Sequence, residues 1–350
     1  MTIAQVRIVG TGLIGTSIAL GLAQKGIKVD LADADPDNEK LARDLLSSSL
    51  GSGKSDFVVI ATPPGSIFET LQSEFETNPN ASFIDVGSVK NELLLQVEAL
   101  PVLASRFVGT HPMAGRERGG AKSGQSDLFE GRAWLVTPTA QSQSDVILAA
   151  KELISLLGAF PYEMTAKEHD ALMASISHLP QVVSTALASS VGEISRLDLS
   201  GQGLRDMVRL AGSDPQLWSD ILFANKSQIK VALDHFEESL SSLRAAIENE
   251  DRNLLSSIFE KGSQSRSRVA GKHGAQPRKY LQLLVVIEDK PGQLSQLFAE
   301  SAEVNANIED LSIEHSPGQE TGLITLSFSP DDAHRVMAHL RSKSWKVHLA

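Results

Sequence analysis

Gly10-Thr11-Gly12-Leu13-Ile14-Gly15 follows the apolar run 6–9 and opens a helix-length segment. In that pattern Gly10 allows a tight turn, Gly12 lets backbone approach a pyrophosphate, and Gly15 lets the helix pack close to the strand. The helix start at Leu13 and Ile14 offers unpaired N–H groups and the positive end of the helix dipole to phosphates. Asp33 ends the second strand, where a carboxylate accepts both adenosine ribose hydroxyls and repels a 2′-phosphate. Ala34, Asp35, Pro36 and Asp37 follow it without an Arg or Lys, which favours NAD over NADP. Thr62 and Pro63, in Ala61-Thr62-Pro63-Pro64, leave the third strand at the edge where such folds bind ligands. A plain glycine turn and a helix-capping aspartate are the simpler readings of these residues. Gly51-Ser52-Gly53-Lys54-Ser55 ends like a P-loop, but Ser48 stands where the first glycine is required, and a strand follows where the motif needs a helix.

His111 lies in Gly109-Thr110-His111-Pro112-Met113-Ala114-Gly115, after a strand and again at the carboxyl edge. Oxidising an alcohol with NAD requires a base for the hydroxyl proton as hydride leaves, and a neutral imidazole suits that near neutral pH. Ser88, in Asp85-Val86-Gly87-Ser88-Val89-Lys90, is placed to orient that histidine or to bond a substrate hydroxyl. His178 sits in Ser177-His178-Leu179-Pro180-Gln181, where Pro180 removes a helix hydrogen bond and kinks a helical run. Arg205, Asp206 and Arg209 fall on one short helix, with the arginines sharing a face and Asp206 within reach of Arg209. An arginine in an acidic protein is a natural bidentate clamp for a carboxylate. The structural alternatives are a loop-capping histidine, an N-cap serine, a buried helix histidine and a solvated ion pair. No HExxH and no close histidine pair with a carboxylate occurs, so no metal is expected.

The elements that must position these residues follow a regular rhythm. Over 1–165, short β-branched runs at 6–9, 29–32, 57–60, 82–85, 107–108, 134–136 and 160–162 alternate with helix-length segments such as 16–25 and 36–46. That alternation predicts an α/β fold whose N-terminal part is a Rossmann-type, doubly wound parallel sheet covered on both faces. Over 166–270 the strand signal disappears, and an all-helical substrate and dimerisation domain is expected. There Asp214-Pro215 starts a helix running from 215 to near 249. Residues 271–277 read as a linker, and 278–350 as a separate module in strand–helix–strand–strand–helix–strand order, a ferredoxin-like arrangement.

Composition bounds the possibilities. The chain has 350 residues, 41% of them hydrophobic and 21% charged, enough for two or three domains with real cores. With 32 Lys and Arg against 43 Asp and Glu its formal charge is −11, which argues against nucleic-acid and anionic-membrane partners. The absence of cysteine excludes disulfides, thiolate nucleophiles and cysteine-ligated metal centres. No apolar run of membrane-spanning length and no signal peptide is visible, so a soluble cytoplasmic protein is expected.

Taken together, the GTGLIG, ATPP, DVGSVK, GTHPMAG, HD…SHLP, RDMVRLAGSDPQLW and EDKPGQL segments closely resemble the prephenate dehydrogenase family of tyrosine biosynthesis, in its form with a C-terminal ACT domain. The resemblance covers nearly the whole chain. It implies NAD-dependent oxidative decarboxylation of prephenate to 4-hydroxyphenylpyruvate, with His111 as the catalytic histidine and Ser88 as the serine assisting it. It further implies that Arg209 binds a substrate carboxylate, that His178 lies near the substrate side chain, that Glu117 and Asp206 belong to a gating ionic network, and that Trp218 stands beside the site. Many relatives have a second histidine where this chain has Gln181, a neutral amide that suits either a keto or an amino group. Arogenate dehydrogenase, giving tyrosine directly, is therefore an alternative. Another member of the same superfamily, such as an imine or 3-hydroxyacid reductase, and an NAD-sensing regulator without turnover are further ones. In the ACT-like tail the resemblance implies tyrosine binding at Asp289, Pro291, Gly292 and Leu294, with Asn307 and Ile308 as the opposite wall. A homodimer sharing the long helices is expected, with Asp206 serving the neighbouring site.

Overall fold

A computed structural model describes residues 3–46, 49–51, 53, 55–115, 120–269, 280–288, 290–315 and 321–350. The chain divides into two compact units, Met1–Phe259 and Glu260–Ala350.

In the first unit, β1 (Gln5–Val9), β2 (Lys28–Ala32), β3 (Phe57–Ile60), β4 (Ser82–Asp85) and β5 (Phe107–Pro112) run parallel in the order β2-β1-β3-β4-β5. The connections are α1 (Leu13–Gln24), α2 (Pro36–Leu46), α3 (Ile67–Thr77), and α4 (Asn91–Glu98) with α5 (Pro101–Ser105). Successive strand residues face opposite sides, so each strand feeds two cores. Phe57 and Val59 pack with Ile18, Leu22 and Leu153 on one face. Val58 and Ile60 pack with Leu71, Leu94 and Leu103 on the other. Because the chain turns back between β2 and β3, the topological switch lies between β1 and β3, and all five carboxyl ends share one edge.

The expected all-parallel sheet is corrected at its far side. β6 (Ala133–Pro138) pairs antiparallel with β5, and β7 (Phe160–Glu163) runs parallel to β6, completing seven strands. A parallel crossover needs a connecting helix, but the described part of the β5–β6 connection holds only a 3₁₀ turn at Ala121–Ser123. β5 is also longer than its apolar core suggested and includes His111, which pairs with Leu135. The crossover from β6 to β7 is α6 (Ser144–Leu156), which covers the sheet, and the helical part of this unit follows β7.

The helical part opens with α7 (Ala166–Met173), started by a capping box in which Thr165 and Glu168 satisfy each other's backbone N–H. A π-helical turn at Ala174–His178 leads into α8 (Leu179–Val191) and absorbs the missing N–H of Pro180. α9 (Gln202–Val208) stops one residue short of Arg209, which opens a 3₁₀ turn at Arg209–Gly212, so the expected single short helix bearing Arg205, Asp206 and Arg209 is split. The single helix expected over 215–249 is two: α10 (Pro215–Ala224), capped by Asp214, and α11 (Lys226–Glu248). The break falls at Asn225, whose side chain is drawn into the interior. α12 (Arg252–Arg266) follows. The stretch Ala166–Val191 is long and apolar enough to cross a membrane by length and composition, but it carries buried His169, Asp170, His178 and Gln181 bonded within the protein.

In the second unit, β8 (Leu281–Glu288), α13 (Gln293–Glu303), β9 (Asp310–His315), β10 (Thr321–Phe328), α14 (Pro330–Ser342) and β11 (Lys346–Leu349) form an antiparallel sheet of order β11-β8-β10-β9 with two helices. Leu283, Val285, Ile324 and Phe328 meet Leu297, Val336 and Leu340 in its core. Gly292 takes φ +90° as the N-cap of α13, and Leu294 packs against the core. Pro291 precedes them on the exposed turn. Asn307 and Ile308 lie ahead of β9 and not within it; Asn307 donates to Glu309. Asp289 and the expected linker 271–277 lie outside the described residues.

Candidate active site

The glycine-rich turn is held by steric necessity. Gly10 has φ +101°, and a Cβ there would lie 2.4 Å from the Ala61 carbonyl oxygen. A Cβ on Gly15 would lie 1.9 Å from the Gly10 carbonyl oxygen. At Gly12 a Cβ would meet nothing within 4 Å, so this backbone is open to an incoming group. Leu13 is buried and Ile14 half-buried at the helix start. The Asp33 carboxylate accepts from the Thr11 hydroxyl at 2.7 Å, from the Thr11 N–H and from the Asp35 N–H at 2.8 Å. Burial would raise its pKa, but the hydrogen bonds from Asp35, Thr11 and Ala34 prevail and hold it below the usual value. The Thr62 hydroxyl is buried with no partner among the described residues, beside exposed Pro63. An open backbone at Gly12, an unsatisfied hydroxyl at Thr62 and an oriented carboxylate at Asp33, all at one sheet edge, fit a dinucleotide.

Further along that edge His111 is bonded in a way the sequence did not announce. Its Nδ1 lies 3.0 Å from Nε2 of His169, and His169 Nδ1 lies 2.8 Å from Oδ1 of Asp170. Asp170 also accepts the N–H groups of Lys90 and Asn91, each at 2.9 Å, at the start of α4. Lys90 is wholly buried and ion-paired to Asp85, and donates to the Thr110 carbonyl at 2.9 Å. Asp85 in turn accepts from Gly87 N–H at 2.8 Å and Thr110 N–H at 3.2 Å. Burial chiefly drives the His111 pKa well below its ordinary 6.5, and His169, Lys90 and His178 add to the effect. The imidazole is therefore neutral at physiological pH, as a base must be.

The network continues into the helices. Asn225 Nδ2 donates to the Asp170 carbonyl at 2.8 Å and lies 3.1 Å from His178 Nδ1. Since a carbonyl must accept, that amide nitrogen is fixed, His178 Nδ1 accepts, and its Nε2 carries the hydrogen. Burial lowers the His178 pKa to about 4, so this ring too is neutral. Trp218 meets it edge-on with ring centroids 6.0 Å apart. One turn beyond, buried Gln181 donates to the Leu210 carbonyl at 2.7 Å and accepts from the Ser213 hydroxyl at 3.4 Å. Gln181 thus ties α8 to the turn that carries exposed Arg209.

Contiguous contacts accordingly link His111, His178 and Trp218, and bring Gln181 to the turn of Arg209. Ser88 is half-buried at the end of β4 and makes no hydrogen bond among the described residues; the bond orienting His111 comes from His169. Asp206 accepts from Gln202 at 2.7 Å within α9, and Arg205 donates to Gln202 at 3.2 Å and to the Ser200 carbonyl ahead of the helix at 2.7 Å, so these two are engaged locally. Glu117 lies outside the described residues. Sequence reasoning gave no role to His169, Asp170, Lys90 or Asn225. The adjacent His-Asp pair was the available signal, although neighbours on a helix ordinarily point apart. The one potential ligand cluster for a metal among the described residues, Glu300, Glu303 and His339 of the second unit, shares its carboxylates with Lys343 at 3.9 and 3.6 Å, a competing cation.

Comparison with known proteins gives this geometry a family. Residues 10–162 match the prephenate dehydrogenase nucleotide-binding domain, and residues 165–261 match the prephenate dehydrogenase dimerization domain. The prephenate dehydrogenase of Bacillus subtilis is 27% identical over 344 residues, covering 93% of this chain and 92% of that one. The crystal structure of prephenate dehydrogenase from A. aeolicus in complex with hydroxyphenyl propionate and NAD+ is similar over 76% of this chain and 98% of that one, with 29% identity and a TM-score of 0.70. The structure of Synechocystis arogenate dehydrogenase is similar over 75% of this chain and 98% of that one, with 27% identity and a TM-score of 0.64. The chain belongs to the prephenate dehydrogenase family and is an NAD-dependent oxidoreductase of that family.

Proposed function

We propose that the chain converts prephenate to 4-hydroxyphenylpyruvate in tyrosine biosynthesis, as a soluble cytoplasmic homodimer. The observation that carries this reading is the neutral, hydrogen-bonded His111 at the same sheet edge as the Gly10–Gly15 turn. NAD held by Gly10, Gly12, Gly15, Asp33 and Thr62 supplies the hydride acceptor. As ring C4 is oxidised, its hydroxyl proton passes to the free nitrogen of His111. Loss of the C1 carboxylate as carbon dioxide leaves its electron pair to complete the aromatic ring. Arg209 holds a substrate carboxylate, Ser88 meets the ring hydroxyl, and the Nε2–H of His178 meets the side chain, with Trp218 behind it. Asp206 and Glu117 belong to the ionic rim in this reading. His111 and His178 contribute no charge, so a dianion is held by arginine and N–H donors.

The test is NADH formation with prephenate and with arogenate, side by side. Higher kcat/KM with prephenate is expected; higher kcat/KM with arogenate makes the chain an arogenate dehydrogenase, and no NADH from either overturns the reading. Dimerisation through the helices is supported by exposed apolar side chains there, such as Phe223, Ile247 and Phe259. Light scattering that gives a monomer would refute it.

We further propose that residues 278–350 act as an ACT module. Its βαββαβ order and the left-handed Gly292 turn opening α13 support that reading. Tyrosine would bind around Pro291, Gly292 and Leu294 and inhibit the enzyme. Calorimetric titration with tyrosine giving neither heat nor a change in rate removes this regulatory role.

A further inference from the structure

Resting on the reading of His111 as the base, we propose that His169 and Asp170 form a positioning relay that dictates which ring nitrogen of His111 carries its hydrogen. The direction of each bond follows from the last member. A carboxylate only accepts, so at the 2.8 Å contact with Asp170 it is His169 Nδ1 that donates. Asp170 is itself fixed, because its oxygens receive the Lys90 and Asn91 N–H groups at the start of α4. His169 is fully buried, and burial is the main cause that lowers its pKa, so it is neutral and its Nε2 bears a lone pair. At the 3.0 Å contact the donor must then be His111 Nδ1. His111 Nε2 is left as the only proton acceptor of that ring.

The arrangement does more than turn a ring. Free imidazole side chains in water favour hydrogen on Nε2, which would block the nitrogen that has to take the substrate proton. The relay enforces the other tautomer. Once Nε2 has accepted the proton, the Nδ1–H of the imidazolium still donates to His169, whose polarity Asp170 sustains. A carboxylate touching His111 directly would instead favour its charged form before substrate arrived. The interposed neutral ring gives orientation without that penalty. The other groups facing His111 are Lys90, compensated by Asp85, and neutral His178; no acid faces it directly among the described residues.

The relay is read by long-range ¹⁵N–¹H correlation of histidine-labelled full-length protein without substrate, assigned with His111→Asn. Wild-type His111 is expected to carry hydrogen on Nδ1. In His169→Leu it should move to Nε2, with kcat for NADH formation falling about a hundredfold, within the range of a general-base contribution, and KM changing far less. His169→Gln places an amide oxygen near the lost Nε2 and should restore the tautomer and most of kcat. A wild-type His111 protonated on Nε2 overturns the proposal, and so does an unaltered tautomer with near-normal kcat in His169→Leu. Should His169→Leu not fold, as its thermal transition would report, the wild-type tautomer alone decides. Because that measurement needs no substrate, it stands apart from whether prephenate is turned over.

Discussion

Replacing His178 by asparagine removes one proton-binding imidazole while keeping an oxygen acceptor near the position where Nδ1 receives Asn225. In the folded protein His178 titrates at about 4, pulled down by burial and by His169 against the opposing attraction of Asp170. Unfolded, it returns to the ordinary value of 6.5. The unfolded state therefore binds more protons between these two values, and stability falls as the pH drops through that window. Integrating the difference from about pH 7 to about pH 5 gives a loss of about 2 kcal/mol from this one ring. His111 and His169 are depressed as well, chiefly by burial that the variant keeps, so they steepen both curves; only the smaller part of the His111 shift that His178 itself causes differs between them. Carboxylates held low, such as Asp33 and Glu39, lose their contribution only at more acidic pH. Urea unfolding followed by tryptophan fluorescence across this range should show His178→Asn losing about 2 kcal/mol less than wild type. Parallel stability curves would refute the reasoning, since they would mean that His178 protonates equally easily folded and unfolded.

The remaining predictions concern three further side chains. His111→Asn should lower kcat by about a hundredfold to a thousandfold with little change in nucleotide affinity, measured by NADH formation and by nucleotide titration. Lys90→Met leaves Asp85 charged and unpaired in the interior and should cost about 3–5 kcal/mol, measured by urea unfolding. Gln181→Leu unties α8 from the turn of Arg209, so steady-state kinetics should show substrate KM rising about tenfold, equal to about 1.4 kcal/mol, and kcat changing less.

Much of this architecture was legible in the sequence, and the exceptions have physical causes. Gly10 and Gly15 announce themselves because only glycine fits against the Ala61 and Gly10 carbonyls. The strands β3 and β4 were readable because both faces of a covered sheet demand buried residues, and β1 and β2 because Val6, Ile8, Val29 and Leu31 alternate with polar positions. β5 was underestimated because Gly109 and Pro112 are poor strand residues that interrupt its pattern; pairing with β6 holds them there. Strand direction was illegible at β6, since it depends on whether the connection forms a crossover helix and not on the strand's own residues. The break at Asn225 is a tertiary effect: a helix former's pattern runs through 215–249, but one buried side chain serves Asp170 and His178. His111 was singled out by its motif, while His169 was passed over because its partner lies 58 positions away.

The two functions of the site make opposite electrostatic demands, and the structure separates them. A base that works near neutral pH must stay uncharged, whereas an anionic substrate must meet positive charge. Beneath His111 the buried charges close on themselves: Lys90 is paired with Asp85, and Asp170 is spent on the α4 N-terminus and His169. Little field is left over to charge the base. The arginine in the reading sits elsewhere, on the exposed turn Arg209–Gly212, which the uncharged strut of Gln181 ties to α8. A histidine at 181 would have brought a titratable group onto that strut. The glutamine keeps the connection independent of pH, so in the proposed reading the groups assigned to the substrate and the imidazole assigned as base can be tuned separately.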